Sequence, residues 1–261
     1  MTVALAGLAL TMTLGVLTWI ASLIQRDASL VDRMWSVLIA GAAVVYAVLL
    51  PAHGTRAAWM LAIVIAWGVR LSLYITIRNW GHGEDRRYQA IRARNEPNFG
   101  LKSLWLVFGL QAVLAWVVAT PFLVALPTDA PFGVLDGVGA VVAIVGFLFE
   151  AIGDAQMARF QADKANRGQV MDRGLWRYTR HPNYFGETCV WWGLWFMALA
   201  GGGLGGAWTI LSPLLMTGLL LKVSGVTLLE RDIGERRPAY RDYIARTNAF
   251  IPGLPRRKAG A

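Results

Sequence analysis

Apolar residues fall along this chain in long unbroken blocks, and the charges collect in the short segments between them. The blocks run from about 3 to 24, 34 to 50, 57 to 77, 103 to 126, 134 to 153, 184 to 206 and 207 to 229. A hydrocarbon core of roughly 30 Å takes about 20 apolar residues in helix, so each block predicts a membrane-spanning helix. Pro51 and Pro127 close the second and fourth blocks, and the glycine-rich Gly201–Gly206 stretch reads as a turn between the last two. Arg26 and Arg33 follow the first block instead of preceding it, the reverse of a cleavable secretory signal. The fold class expected is all-α: a polytopic membrane protein with seven transmembrane helices.

Composition agrees. Of 261 residues, 56% are apolar and 16% charged, and the mean hydropathy is +0.47; soluble domains carry charge on about a quarter of their residues. The formal charge is nevertheless +9, and the position of the cations orients the chain. With the N-terminus outside, the four inside segments hold 2, 6, 6 and 8 Lys or Arg, which is 22 of the 25. Cytoplasmic loops retain such residues, so the C-terminus is expected in the cytoplasm. Arg56 alone falls outside, while Arg70 and Lys222 lie within spans. One cysteine and three scattered histidines offer neither a disulfide framework nor a dedicated metal site. The 21 Arg against 4 Lys, with abundant Ala, point to a GC-rich bacterial genome and hence an inner membrane.

Ionisable groups inside spans are costly and mark protein interiors or functional sites. On the third helix Trp67, Arg70, Tyr74 and Arg78 recur every three or four residues and share a face. Glu150 and Asp154, four apart, end the fifth helix on one face. The densest polar segment is Arg177-Tyr178-Thr179-Arg180-His181-Pro182-Asn183-Tyr184-Phe185-Gly186-Glu187. Pro182 predicts a helix start there, with Arg180 and His181 at its mouth and Asn183 and Glu187 one turn apart. A helix N-terminus with two cations can receive phosphate, the tyrosines can stack on a ring, and Asn183 and Glu187 can bind amides. A second loop, Arg78 to Tyr88, mixes glycines, cations and aromatics, and the tail adds Glu230, Tyr240, Arg241 and Tyr243. No Gly-x-Gly-x-x-Gly after a strand and no Walker sequence is present, so any nucleotide must be held by the membrane domain itself.

These residues are similar to a known family. Arg180 to Glu187, Trp191-Trp192-Gly193, Tyr240-x-x-Tyr243, Ile251-Pro252, Glu84-Asp85-Arg86-x-Tyr88, Val31-Asp32-x-x-Trp35 and Asp154-x-Gln156 resemble the steroid 5α-reductase superfamily, in particular its bacterial DUF1295 branch. The resemblance implies a single seven-helix reductase domain over 1–261, with substrate-cavity helices over about 1–126 and a cofactor-binding half over about 127–261. It implies NADPH as cofactor and a hydrophobic enone substrate, a steroid or another lipid. The cofactor residues it implies are Asp154, Tyr178, His181, Asn183, Tyr184, Glu187 and Glu230, with Arg78, Arg86, Arg173, Arg180 and Arg241 for phosphate, all facing the cytoplasm.

For catalysis the resemblance implies an acid on the second helix and a tyrosine on the third, both at the substrate ketone. Asp32 matches the acid; the competing reading is that it caps the second helix and pairs with Arg33. The tyrosine does not transfer cleanly: Trp67 falls near its place and Tyr74 lies two turns on. Neither a nucleic acid nor an obligate protein partner is expected, and membrane lipid surrounds the chain. Two alternatives remain. Isoprenylcysteine carboxyl methyltransferases share Arg-His-Pro-x-Tyr but have a Glu-Glu pair where this chain has Glu230-Arg231; a transporter or scaffold could also carry intramembrane charge.

Overall fold

The structure, a computed structural model, describes residues 2–51, 54–223, 225–230, 233–236 and 238–256. Six helical stretches among them are long and apolar enough to cross a membrane, and no strand occurs. They are α1 (Thr2–Gln25), α2 (Leu30–Leu49), α3 (Gly54–Asn79), α5 (Phe99–Ala125), α6 (Val134–Ala162) and α7 (Pro182–Lys222), with the short α4 (Arg86–Asn95) between α3 and α5. After α7 come α8 (Val226–Glu230) and α9 (Ala239–Arg246).

At 41 residues α7 would run roughly 60 Å if straight, twice the thickness of a hydrocarbon core. It is not straight. Gly203 is non-helical at φ 55° and ψ −148°, and Trp192 donates through Nε1 to Thr217 Oγ1 at 3.2 Å, 25 positions away. A straight helix would hold those residues roughly 37 Å apart, so α7 doubles back on itself in two legs. The predicted sixth and seventh blocks are these legs, and the glycine-rich stretch is their turn. The fifth block, expected to end near 153, continues as helix to Ala162.

The chain divides into two compact units, residues 1–137 with 196–212, and 138–195 with 213–261. The tip of the α7 hairpin belongs with the first unit.

In the first unit α1 packs on α2 and α5, and α2 on α3. The face that α1 buries consists of Gly7, Thr11, Gly15, Thr18 and Ser22, while Leu5, Leu17, Ile20, Leu23 and Ile24 are exposed. This inverts a soluble helix. Lipid is as apolar as leucine, so helices associate through small residues that allow close packing. Gly7 lies under the Tyr46 ring, and Gly15 meets Ala112 and the Phe108 carbonyl. The α1 hydroxyls cost nothing there: Thr11, Thr18 and Ser22 donate to the carbonyls of Leu8, Leu14 and Trp19. Between α2 and α3, Ser36 donates to Gly68 O at 2.8 Å.

The same unit holds a buried ion pair. Arg56, at the start of α3, donates to both oxygens of Asp136 at 2.6 and 2.8 Å, and to the carbonyls of Ala130 and Pro131 at 3.0 and 3.1 Å. Gly133 N–H also donates to Asp136, at 2.9 Å. Side-chain exposures of 4% and 1% make this a desolvated pair.

In the second unit α6 and the first leg of α7 run antiparallel at backbone contact. A methyl group on Gly186 would stand 2.5 Å from Glu150 N and Gly146 O, and one on Gly193 would stand 2.4 Å from Gly139 O. Further along, Gly153 faces Pro182. This crossing presses the end of α6, with Asp154, against the start of α7 where the polar motif lies.

Candidate functional site

Two polar clusters, one in each unit, collect some of the residues singled out by sequence. The first is built on Asp32. Ser29 stands at the N-cap of α2, so Asp32 lies in the first helical turn and does not cap it. Tyr88 donates its phenolic O–H to Asp32 Oδ1 at 2.6 Å, and Arg87 donates from Nη2 to Oδ2 at 2.7 Å. Arg33 instead approaches Asp27, at 3.7 Å.

The local sequence explains how Arg87 and Tyr88 reach Asp32. Asp85 caps α4 by accepting from the Arg87 N–H at 2.8 Å, which fixes the next three residues in the first turn. Arg86 is left exposed. Arg87 is steered by a second contact to Asp85, at 3.1 Å. Tyr88 is buried, its ring among Ala28, Val31, Phe99, Val107 and Phe108, and its hydroxyl accepts from Gln111 Nε2 at 3.1 Å. Burial, reinforced by the neighbouring Asp32, lifts the Tyr88 phenol well above its ordinary value, so it stays protonated at neutral pH. Burial opposes the charge on Arg87, but Asp32 and Asp85 outweigh it and hold the guanidinium charged.

Tyr88 and Gln111 are the site residues that sequence reasoning missed. The resemblance places the phenol on the third helix, near Trp67 or Tyr74. Trp67 is fully buried, and Tyr74 lies under the guanidinium of Arg78, 5.6 Å from its ring centre. The signal for Tyr88 was Asp85 itself, an N-cap three residues ahead of an aromatic.

The second cluster is centred on Glu230, at the end of α8. Arg180 binds both its carboxylate oxygens at 2.7 Å, through Nε and Nη2, and His181 Nε2 lies 2.9 Å from Oε1. Burial works against the charge of Glu230, but hydrogen bonds from Arg180 and His181 outweigh it and bring its pKa from 4.5 to about 2. An ionised carboxylate only accepts, so His181 is the donor through Nε2. The remaining terminal nitrogen of Arg180 donates to the carbonyls of Ile244 and Thr247 at the end of α9. Arg180 thus holds the tail.

Backbone contacts reinforce that junction. Arg180 N–H donates to Asn248 O at 2.9 Å and Gly253 N–H to Tyr178 O at 3.0 Å; Thr179 Oγ1 donates to Phe250 O at 2.8 Å, and the Tyr243 hydroxyl donates to Trp176 O. Tyr184 lies parallel to the His181 ring, centroids 5.4 Å apart. Asp154 and Glu187 are buried. Asn183 is partly buried, and its Oδ1 is enclosed with no hydrogen-bond partner among the described residues. Arg173, Tyr178 and Arg241 are exposed; of the first-unit arginines, Arg78 donates to Asn79 at the surface. Arg231, next to Glu230, lies outside the described residues.

The depressed Glu230 pKa sets a pH window. Its stabilising contribution is complete above 4.5 and is lost as pH falls from 4.5 through about 2. Hydrogen-exchange protection of the amides of α9 and residues 248–253 is expected to fall across that interval. In Glu230→Gln the fall should be absent, because the titrating group is gone; a protection profile with the same acid midpoint in both proteins would refute the assignment.

Over residues 18–247 the chain matches the family model described as protein of unknown function DUF1295. It is also similar to an uncharacterized protein of Schizosaccharomyces pombe, C594.04c, with 25% identity over 276 residues that cover 95% of this chain and 79% of the yeast protein. No solved structure matches. The family match takes in both units and both polar clusters, and the chain belongs to the DUF1295 family.

Proposed function

We propose that this protein is an integral membrane reductase that uses NADPH to reduce the carbon–carbon double bond of an enone lipid, with 3-oxo-Δ4 steroids as the first substrates to test. The observation that carries the reading is the 2.6 Å contact between Tyr88 and Asp32. It supplies an acid and phenol pair of the kind that the family resemblance calls for. In the same reading the α7 hairpin contributes two crossings, giving seven, with the N-terminus outside and the basic loops in the cytoplasm of a bacterial inner membrane.

The residues of the second unit fit a dinucleotide. Asn183 Oδ1, enclosed and without a donor among the described residues, suits a carboxamide N–H or a ribose hydroxyl. Glu187 lies one turn on, and the exposed Arg173 and Arg241 are the cations suited to phosphate. NADPH, when bound, supplies the hydride for the β-carbon of the enone.

The chain's own residues act on the ketone. Tyr88 has a single hydroxyl proton and, in the substrate-free arrangement, donates a hydrogen bond through it to Asp32; a ketone oxygen at the phenol competes for that hydrogen bond. Arg87 keeps Asp32 paired while the proton is shared, and Gln111 steadies the phenol oxygen by donating to it. Charge developing on the ketone oxygen during hydride transfer then meets a donor already in place, and the resulting enolate takes a proton at its α-carbon from solvent to complete the reduction.

Purified protein is expected to consume NADPH with at least one member of a panel of 3-oxo-4-ene steroids and other enone lipids, and to be stabilised against heat by NADPH and not by S-adenosylmethionine. Stabilisation by S-adenosylmethionine alone would replace reduction with methyl transfer. Failure to bind either ligand would end the enzymatic reading.

A further inference from the structure

A small cleft in the first unit, of about 50 Å³, lies between the end of α1 and the start of α5, walled by Ser22, Leu23, Arg26, Arg92, Phe99 and Ser103. A water molecule needs roughly 10–15 Å³ on this measure, so the space suits one tetrahedral oxyanion. Its two cations are held in different ways. Arg92 is fixed from two sides, donating to Glu84 through Nε and Nη2 at 3.0 and 2.8 Å and lying 4.5 Å over the centre of the Phe99 ring. Burial opposes the charge of Glu84, but Arg92 and the Ala28 N–H outweigh it and hold the carboxyl below its usual range.

Arg26 has no ion-pair partner among the described residues. It occupies the position just past α1 in the left-handed conformation, φ 55°, and the next N–H, that of Asp27, closes back on Ser22 O at 3.1 Å. Helix endings of this kind ordinarily take glycine. Here a long cation stands in the position that glycine fills with least strain, and it borders the cleft.

Charge and surroundings narrow the ligand. Arg26 and Arg92 are the charged side chains that line the cleft, and both are cations, which suits an anionic group. On the two helices whose ends wall the cleft, Leu23, Ile24, Leu101 and Trp105 are 43, 79, 66 and 69% exposed, and both helices are long and apolar enough to span a bilayer. Acyl chains can therefore lie against the rim, and basic residues at the ends of spans sit at headgroup depth.

We infer that this cleft binds the phosphate group of an anionic membrane lipid, with Arg26 and the terminal nitrogen of Arg92 not used by Glu84 as its donors. The inference is independent of the reductase reading, since it uses none of the residues assigned there. The test is thermal unfolding of the full chain in micelles containing phosphatidylglycerol, phosphatidylcholine alone, or phosphatidylcholine with millimolar inorganic phosphate.

Phosphatidylglycerol is expected to raise the midpoint relative to the other two conditions. Arg26→Gly suits the backbone at that position, so it should unfold no earlier than the parent in phosphatidylcholine, yet bind phosphatidylglycerol about fivefold more weakly, the share of one surface cation. Arg26→Lys should keep most of the rise. An equal rise in phosphatidylcholine, or a rise undiminished in Arg26→Gly, would overturn the site; the same rise from inorganic phosphate would overturn its assignment to lipid.

Discussion

Tyr88→Phe is expected to lower the turnover of an enone substrate about a hundredfold, the usual loss when one preorganised donor is removed from a developing oxyanion, while leaving NADPH affinity unchanged. The substitution is mild for the fold. The ring keeps its packing among Ala28, Val31, Phe99, Val107 and Phe108, and Asp32 keeps Arg87, so the lost hydrogen bond costs about 1 kcal/mol of stability. A donor needed mainly in the transition state lowers kcat with little change in KM, whereas a donor that only binds substrate raises KM. Asp32→Asn separates the partners: it leaves an acceptor for Tyr88 but removes the charge paired with Arg87, and should cost less than Tyr88→Phe. Unchanged turnover in Tyr88→Phe would remove the phenol from the reaction and with it the observation on which the reading rests.

Much of this arrangement can be read in the sequence wherever one segment answers to one physical demand. The bilayer requires long apolar helices, and the blocks of apolar residues mark them with errors mostly at their ends. Pro182 marks the start of α7 because a missing N–H costs nothing at the first helical position. What escaped are pairings across long separations. Asp32 and Tyr88 are 56 positions apart, and nothing local says that the first turn of α4 meets the first turn of α2. Arg180 reads as a phosphate ligand because two cations at a helix mouth are the local signal for one. Its partners, Glu230 and Thr247, lie 50 and 67 positions away, and only the fold shows that it secures the tail. The inverted face of α1 has another cause: the leucines that define the block face outward, and the small residues that look like interruptions make the contact.

Arg56→Ala is expected to destabilise the first unit by about 3–5 kcal/mol, the penalty for leaving a buried partner charge uncompensated. Arg56 is the one cation that the sequence-derived topology leaves on the outer side, and the structure supplies a physical reason why it does not weigh against that topology. Its charge is cancelled by Asp136, and its remaining donors are spent on Ala130 and Pro131, so it presents no free positive charge at the surface. Removing the guanidinium strands Asp136 at 1% exposure, with only the Gly133 N–H left to it among the described residues, and frees the 130–136 segment from the start of α3. If desolvation governs the cost, the double change Arg56→Met with Asp136→Leu should recover most of the stability, because two apolar side chains avoid the penalty that two charges pay. Chemical unfolding in detergent measures both variants. A single variant within about 1 kcal/mol of the parent would mean that water reaches the pair, since exposed ion pairs are worth no more than that.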